Sequence, residues 1–180
     1  MRPVVGLDTS LKGTGLARLA GVGVETRLVE AEVGAGLAGI ADTVDYQVGA
    51  IVKFTPRGAL AVIEYPIVSR GGRGGMQLER AYLYWLTIRQ LLRLDCLVAT
   101  VAPQTRAKYA TGSGKAEKPA VLAAMKAAHP SVVVKDHNVA DALALLGMGA
   151  RWLGAPVDGA VSSRQLEAMR SAHWPEVRDA

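Results

Sequence analysis

The chain is poor in cysteine, in long apolar runs and, through its middle, in acidic residues, and each shortage narrows what it can be. A single cysteine, Cys96, excludes a disulfide within the chain, and its setting in CLVATV reads as a buried structural thiol. No apolar run approaches the ~20 residues that a membrane-spanning helix needs, and the start MRPVVGLDTS lacks a secretory signal pattern. An intracellular protein with no membrane association is expected. The 180 residues carry no internal repeat or low-complexity tract and suit one domain with a sizeable core. Half of them are apolar, which excludes disorder for most of the chain. The net charge of +5 is unevenly spread: residues 53–126 hold twelve Lys or Arg against only Glu64, Glu79, Asp95 and Glu117. A basic centre around a few acids suits a polyanion drawn to a metal site, although charge alone fits a solvated surface equally well.

What is present is a pattern of short apolar runs and periodic helices. Strands are expected near 3–8, 14–20 and 24–32, punctuated by Gly13, Gly15, Gly21 and Gly23 as an antiparallel meander. Gly13 and Gly15 are read as hairpin-turn residues. A helix follows over 38–53, a buried strand over 59–64, and a loop over 67–75 with four glycines, Arg70 and Arg73. The helix expected over 76–94 is apolar on more than one face, so it faces a thick core or a subunit contact. A strand at 96–101, a polar stretch, and helices near 116–128, 138–150 and 163–171 complete the chain, whose end WPEVRDA reads as loosely held. The order predicts an α/β domain over 1–154, with a mixed five-stranded central sheet flanked by helices. Residues 155–180 then form a tail with a short helix.

Three carboxylates stand out. Asp8 ends the apolar run Val4-Val5-Gly6-Leu7, and Glu64 ends Ala59-Leu60-Ala61-Val62-Ile63. Asp141 lies in the first turns of an alanine- and leucine-rich helix. An acid at the end of a buried strand is costly to desolvate unless a partner or a divalent cation offsets its charge. Each has a plainer reading: Asp8 as a turn acid, Glu64 as a surface acid, Asp141 as a helix acid paired with an arginine. All three plain readings together fit the contexts poorly, and one shared metal site fits them well.

The stretches VVGLDTSLKGTGLA, AVIEYP, PQTRAKYATGSGKAEKPAV and HNVADALAL, in this order, resemble the RNase H-like superfamily and within it the RuvC-like Holliday junction resolvases. The resemblance spans about residues 3 to 150. It implies an RNase H-like fold and a homodimer, joined by the helix over 76–94, that cuts four-way DNA junctions in pairs of nicks with Mg²⁺ or Mn²⁺. It further implies that Asp8, Glu64 and Asp141 are metal-binding carboxylates, with Asp8 bridging. Lys118, and with less support Lys108, would then act near the scissile phosphate, and Arg70, Arg73 and Lys115 would contact DNA. The setting implied is a bacterial cell or a phage-infected host.

Two departures matter. The family's further ligand lies three or four residues before the last acid, where this chain has Asn138 and His137. Both share a helix face with Asp141. His137 is the first choice as fourth ligand because imidazole binds Mn²⁺ well, with Asn138 the alternative and Asp136 a residue that could cap the helix. The loop over 67–75 also lacks the aromatic wedge of relatives, and Met76 is its nearest apolar candidate.

Three rivals have different tests. An actin-like ATPase or sugar kinase shares a loose likeness to GLDTSLKGTG but needs a second domain and a second phosphate loop. A silent junction-binding protein would bind without cutting, and Asn138 in place of an acid keeps that reading open. A nuclease of RNA–DNA hybrids would prefer a hybrid over a four-way junction.

Overall fold

A computed structural model describes residues 2–21, 23–66 and 76–176. Five strands, β1 (Val4–Asp8), β2 (Gly13–Ala20), β3 (Gly23–Glu30), β4 (Leu60–Glu64) and β5 (Leu97–Val101), form one sheet in the order β3-β2-β1-β4-β5. The first three are antiparallel, and β1, β4 and β5 run parallel. This is the mixed sheet expected. Six helices accompany it among the described residues: α1 (Gly36–Phe54), α2 (Gln77–Arg93), α3 (Pro103–Thr111), α4 (Lys118–Ala128), α5 (His137–Trp152) and α6 (Ser163–Arg170).

Alternation along the central strands divides the core into two layers. Val5, Leu7, Ala61 and Ile63 face a cluster with Ile51 and Phe54 of α1 and Tyr84 and Leu91 of α2. Val4, Leu60 and Val62 face the opposite cluster, which includes Leu143 and Leu146 of α5, Tyr109 of α3 and Val121 of α4. Because both faces are covered, β4 reads as an unbroken apolar run. Helix α5 is buried nearly all round, which explains its small and apolar composition.

Glycine sets how closely α5 approaches the sheet. A Cβ on Gly6 would lie 2.1 Å from the Ala142 carbonyl oxygen, and one on Gly15 would lie 1.9 Å from that of Asn138. The expectation that Gly13 and Gly15 serve a hairpin turn is therefore corrected. Both lie in β2, and the β1–β2 turn is instead closed by Thr14, whose hydroxyl donates to the Ser10 carbonyl at 2.9 Å and accepts from its N–H at 3.1 Å.

Two further expectations change. The polar stretch after β5 is helix α3, which opens on Pro103 at its first turn and ends at Gly112 in the left-handed conformation. Its buried residues are Arg106, Ala107, Tyr109 and Ala110, too polar a set to display a helical stripe. The end WPEVRDA, expected to be loosely held, follows a segment that is tied down as far as it is described, to residue 176. Ser162 and Gln165 form a capping box, Trp174 stacks on Trp152 at 5.2 Å, and His173 exchanges two backbone hydrogen bonds with Thr100. Asp158 accepts from the Tyr109 hydroxyl at 2.5 Å and from Arg151 at 2.6 Å. No helix among the described residues is long and apolar enough to cross a membrane.

Candidate active site

The parallel register of β1 and β4 pairs Leu7 with Ile63, so Asp8 and Glu64 leave the C-terminal ends of neighbouring central strands side by side. Ligands of open α/β sheets bind at such ends. The close seating of α5 on Gly6 and Gly15 brings Asp141, one turn into that helix, to the same place. Asp8, Glu64, Asp141, Asn138 and Lys118 thus line one cleft of about 330 Å³, with Thr9, Ser10, Tyr65 and Arg80 around it.

Arg106 from α3 joins them and is the residue that sequence reasoning missed. Its Nε donates to Glu64 Oε2 at 2.7 Å and its Nη1 to Asp141 Oδ1 at 2.5 Å. Arg106 is 7% exposed and Asp141 is 2% exposed, so their ion pair is buried, while the pair with Glu64 is part-buried. The arginine pairing weighed for Asp141 is therefore present inside the cleft itself. A buried acid without a visible counterion in its own segment was the available signal.

The electrostatics show a shortage of positive charge. Asp8 is densely surrounded by protein although it keeps some accessible surface. Burial first, and then repulsion from Glu64 and Asp141, hold its carboxyl well above the usual range, with Arg106 and Lys118 opposing. Asp141 is pushed up to about 7, chiefly by burial; Arg106 opposes this shift and Glu64 adds to it. Arg106 keeps its proton more firmly than usual: burial works against its charge, but Glu64 and Asp141 outweigh it.

As these side chains stand, no three His, Cys, Asp or Glu among the described residues group as a metal-binding set. The donor chemistry nevertheless fits a hard divalent cation. Three carboxylates and the Asn138 amide offer oxygen, the donor that Mg²⁺ and Mn²⁺ prefer. The raised carboxyls mark where added positive charge would be stabilising.

The two candidates for a fourth ligand are placed differently. His137 is exposed and lines an adjoining depression with Ser10, Lys12, Gly13 and Asp136 but not the carboxylate cleft, whereas Asn138 lines both. The cause is the rotation of α5 fixed by its contacts with Gly13 and Gly15. One residue is ~100° of helix, and that step turns His137 out of the cleft. Asp136 caps α5, accepting from the Val139 N–H at 2.9 Å. Lys108 is also drawn elsewhere: it pairs with Glu167 at 2.8 Å and shares a shallow surface depression with Lys115 and Arg164. Arg70 and Arg73 lie outside the described residues.

The sheet order, the helices on both faces and the strand-end cleft define an RNase H-like fold of the kind found in Holliday junction resolvases. The chain is similar to Thermus thermophilus RuvC, with 14% identity, 86% of this chain and 98% of that one covered, and a TM-score of 0.60. It is similar also to T. thermophilus RuvC in complex with a Holliday junction substrate, with 18% identity, 87% and 98% coverage and a TM-score of 0.58. A third likeness is to the yeast mitochondrial Holliday junction resolvase Ydc2, with 12% identity, 93% and 80% coverage and a TM-score of 0.51. At these identities the likeness is one of fold. No family model matches the sequence, and no curated protein matches it.

Proposed function

We propose that the protein is a metal-dependent endonuclease that resolves Holliday junctions or other branched DNA by paired phosphodiester hydrolysis. The observation that carries this reading is the convergence of Asp8, Glu64 and Asp141 with Lys118 and Arg106 in one cleft at the strand ends. The same fold in proteins described as junction resolvases supports it.

Asp8, Glu64 and Asp141 hold the divalent cations, Mg²⁺ or Mn²⁺, with the Asn138 amide as a further oxygen donor. When bound, such cations supply a deprotonated water and shield charge on the phosphorus. Lys118 opens α4 at the rim of the cleft, where its ammonium stabilises charge on the scissile phosphate. Arg80 at the same rim, and Lys115 with Lys108 beyond it, meet backbone phosphates and position the DNA without reading its bases. Arg70 and Arg73 have the same role in this reading.

Paired cuts require two active sites, and α2 supplies a surface for a homodimer. Its inner face is buried through Leu83, Tyr84 and Leu91, while Leu78, Tyr82, Trp85 and Leu92 remain 84%, 53%, 64% and 58% exposed on the other. A second apolar face of this kind marks an interface. The setting in this reading is a bacterial cytoplasm or a phage-infected host.

The double ion pair of Arg106 favours one other reading, a protein that binds junctions and does not cut them. Incubating a synthetic four-way junction with Mg²⁺ or Mn²⁺ and comparing wild type with Asp8→Asn separates the two. Paired nicks near the crossover by wild type alone are expected. Tight binding without cuts in either metal would establish the silent binder, and preferential cutting of an RNA–DNA hybrid would establish a hybrid nuclease.

A further inference from the structure

We infer that Arg106 is the resident counterion of the cleft and couples cation binding to DNA binding: its guanidinium holds Glu64 and Asp141 until a backbone phosphate takes it, which releases both carboxylates to the cation. The inference rests on the nuclease reading and adds to it a control on when the metal site is complete.

The geometry is specific. One guanidinium bonds carboxylates on two different elements, the end of β4 and the body of α5, through two different nitrogens at 2.7 and 2.5 Å. The oxygens it takes belong to two of the three acids that a cation would need. A cation approaching the cleft alone must therefore compete with a buried, fully ionised arginine and leave it unpartnered beside a second positive charge. Stripping one partner from a buried ion pair is strongly unfavourable. The planar guanidinium fork that fits a carboxylate also fits a phosphate, and Arg106 lines the cleft in which Lys118 and Arg80 would receive that phosphate. A phosphate is thus the one partner that both relieves Arg106 and arrives with the substrate. Arg106 accordingly positions Glu64 and Asp141 in the metal-free cleft and meets the substrate phosphate once DNA is bound. By linkage, whatever factor DNA contributes to cation affinity, the cation contributes to DNA affinity.

The test titrates Mn²⁺ into the full chain, reading the free-ion electron paramagnetic resonance signal with and without a short four-way junction at low temperature. A titration of the DNA alone is subtracted. Wild type should bind Mn²⁺ about tenfold more tightly in the presence of the junction. Arg106→Gln should bind Mn²⁺ at least about tenfold more tightly than wild type without DNA and gain little from the junction. Arg106→Lys, which keeps the charge and loses the fork, should fall between them. Thermal melting is the companion readout: Arg106→Gln should melt lower than wild type without metal and recover more on adding Mn²⁺. Equal or weaker Mn²⁺ affinity in Arg106→Gln, or a melting deficit of the same size with and without Mn²⁺, would overturn the inference and leave Arg106 a purely structural ion pair. If that occurs while wild type nicks junctions, the coupling alone is wrong. If neither protein binds Mn²⁺ and neither nicks, the nuclease reading falls and the coupling with it.

Discussion

At the scale of single residues, the cleft turns on which side chains line it. Asn138 lines the carboxylate cleft and His137 does not. Asn138→Ala should therefore reduce Mn²⁺ affinity and junction nicking by at least the 10–100-fold typical of groups one shell further out. His137→Ala should stay within about twofold of wild type by the same two assays, since the ring lines only the neighbouring depression. The reverse ranking would restore imidazole as the fourth ligand. The raised carboxyls give a second residue-scale prediction. Asp141 titrates at about 7 in the fold, against ~3.9 for a free aspartate, so between those values the folded state holds more protons than the unfolded chain. Its contribution to stability is fully present below about pH 4 and is lost as pH rises through 7. Asp8 is shifted in the same direction and acts with the same sign. Metal-free protein should therefore melt lower at pH 8 than at pH 5, and Mn²⁺ should raise the melting temperature more at pH 8. A metal-free melting temperature that rises across this interval would contradict the assigned burial of these acids.

At the scale of elements, the site depends on how tightly α5 lies on β1 and β2. Gly15→Ala puts a methyl group 1.9 Å from the Asn138 carbonyl oxygen, and the obstacle is helix backbone that cannot rotate aside. Overpacking of this kind costs about 1–3 kcal/mol or more, and the displaced helix carries Asp141 and Asn138 with it. Nicking should accordingly fall by more than the loss of folded protein explains. Gly49→Ala in α1 is the control, because nothing lies within 4 Å of the added carbon. It should stabilise by about 0.4–1 kcal/mol in a denaturant titration and leave nicking unchanged. These glycines also mark how far the sequence could be read. Strand-ending Asp8 and Glu64 were legible because an apolar run followed by an acid is a local signal, and α5 was legible from its composition. The role of Gly15 was not, since a glycine in a tight turn and a glycine under a helix look alike along the chain. Helix α3 was hidden by its polar composition. Arg106 was hidden by distance: its partners Glu64 and Asp141 lie 42 and 35 residues away, and only the assembled sheet makes them neighbours. The anchoring of the C-terminal segment was illegible for the same reason, because Trp174 finds Trp152 and His173 finds Thr100 only across the fold.

At the scale of the whole molecule, the proposed paired cutting needs two clefts, and one chain supplies one. The exposed side of α2 presents Leu78, Tyr82, Trp85 and Leu92 at helical spacing, on a helix whose opposite side is already buried in the core. An apolar stripe with an aromatic centre is the composition of an interface core, where one tryptophan can contribute about 2 kcal/mol or more. Trp85 also packs edge-on against Tyr84, whose ring meets Tyr65 next to Glu64, so an interface on α2 would press on the wall of the carboxylate cleft. Trp85→Glu should turn a dimer into a monomer at micromolar concentration in sedimentation experiments, corresponding to about 30-fold or more in the dimer dissociation constant. Nicking of a single strand should persist, because the carboxylates, Lys118 and Arg106 all belong to one chain. Simultaneous cutting of two strands in one junction should disappear. A monomeric wild type that still cuts in pairs would remove α2 from the argument and require the second active site to be recruited by the junction itself.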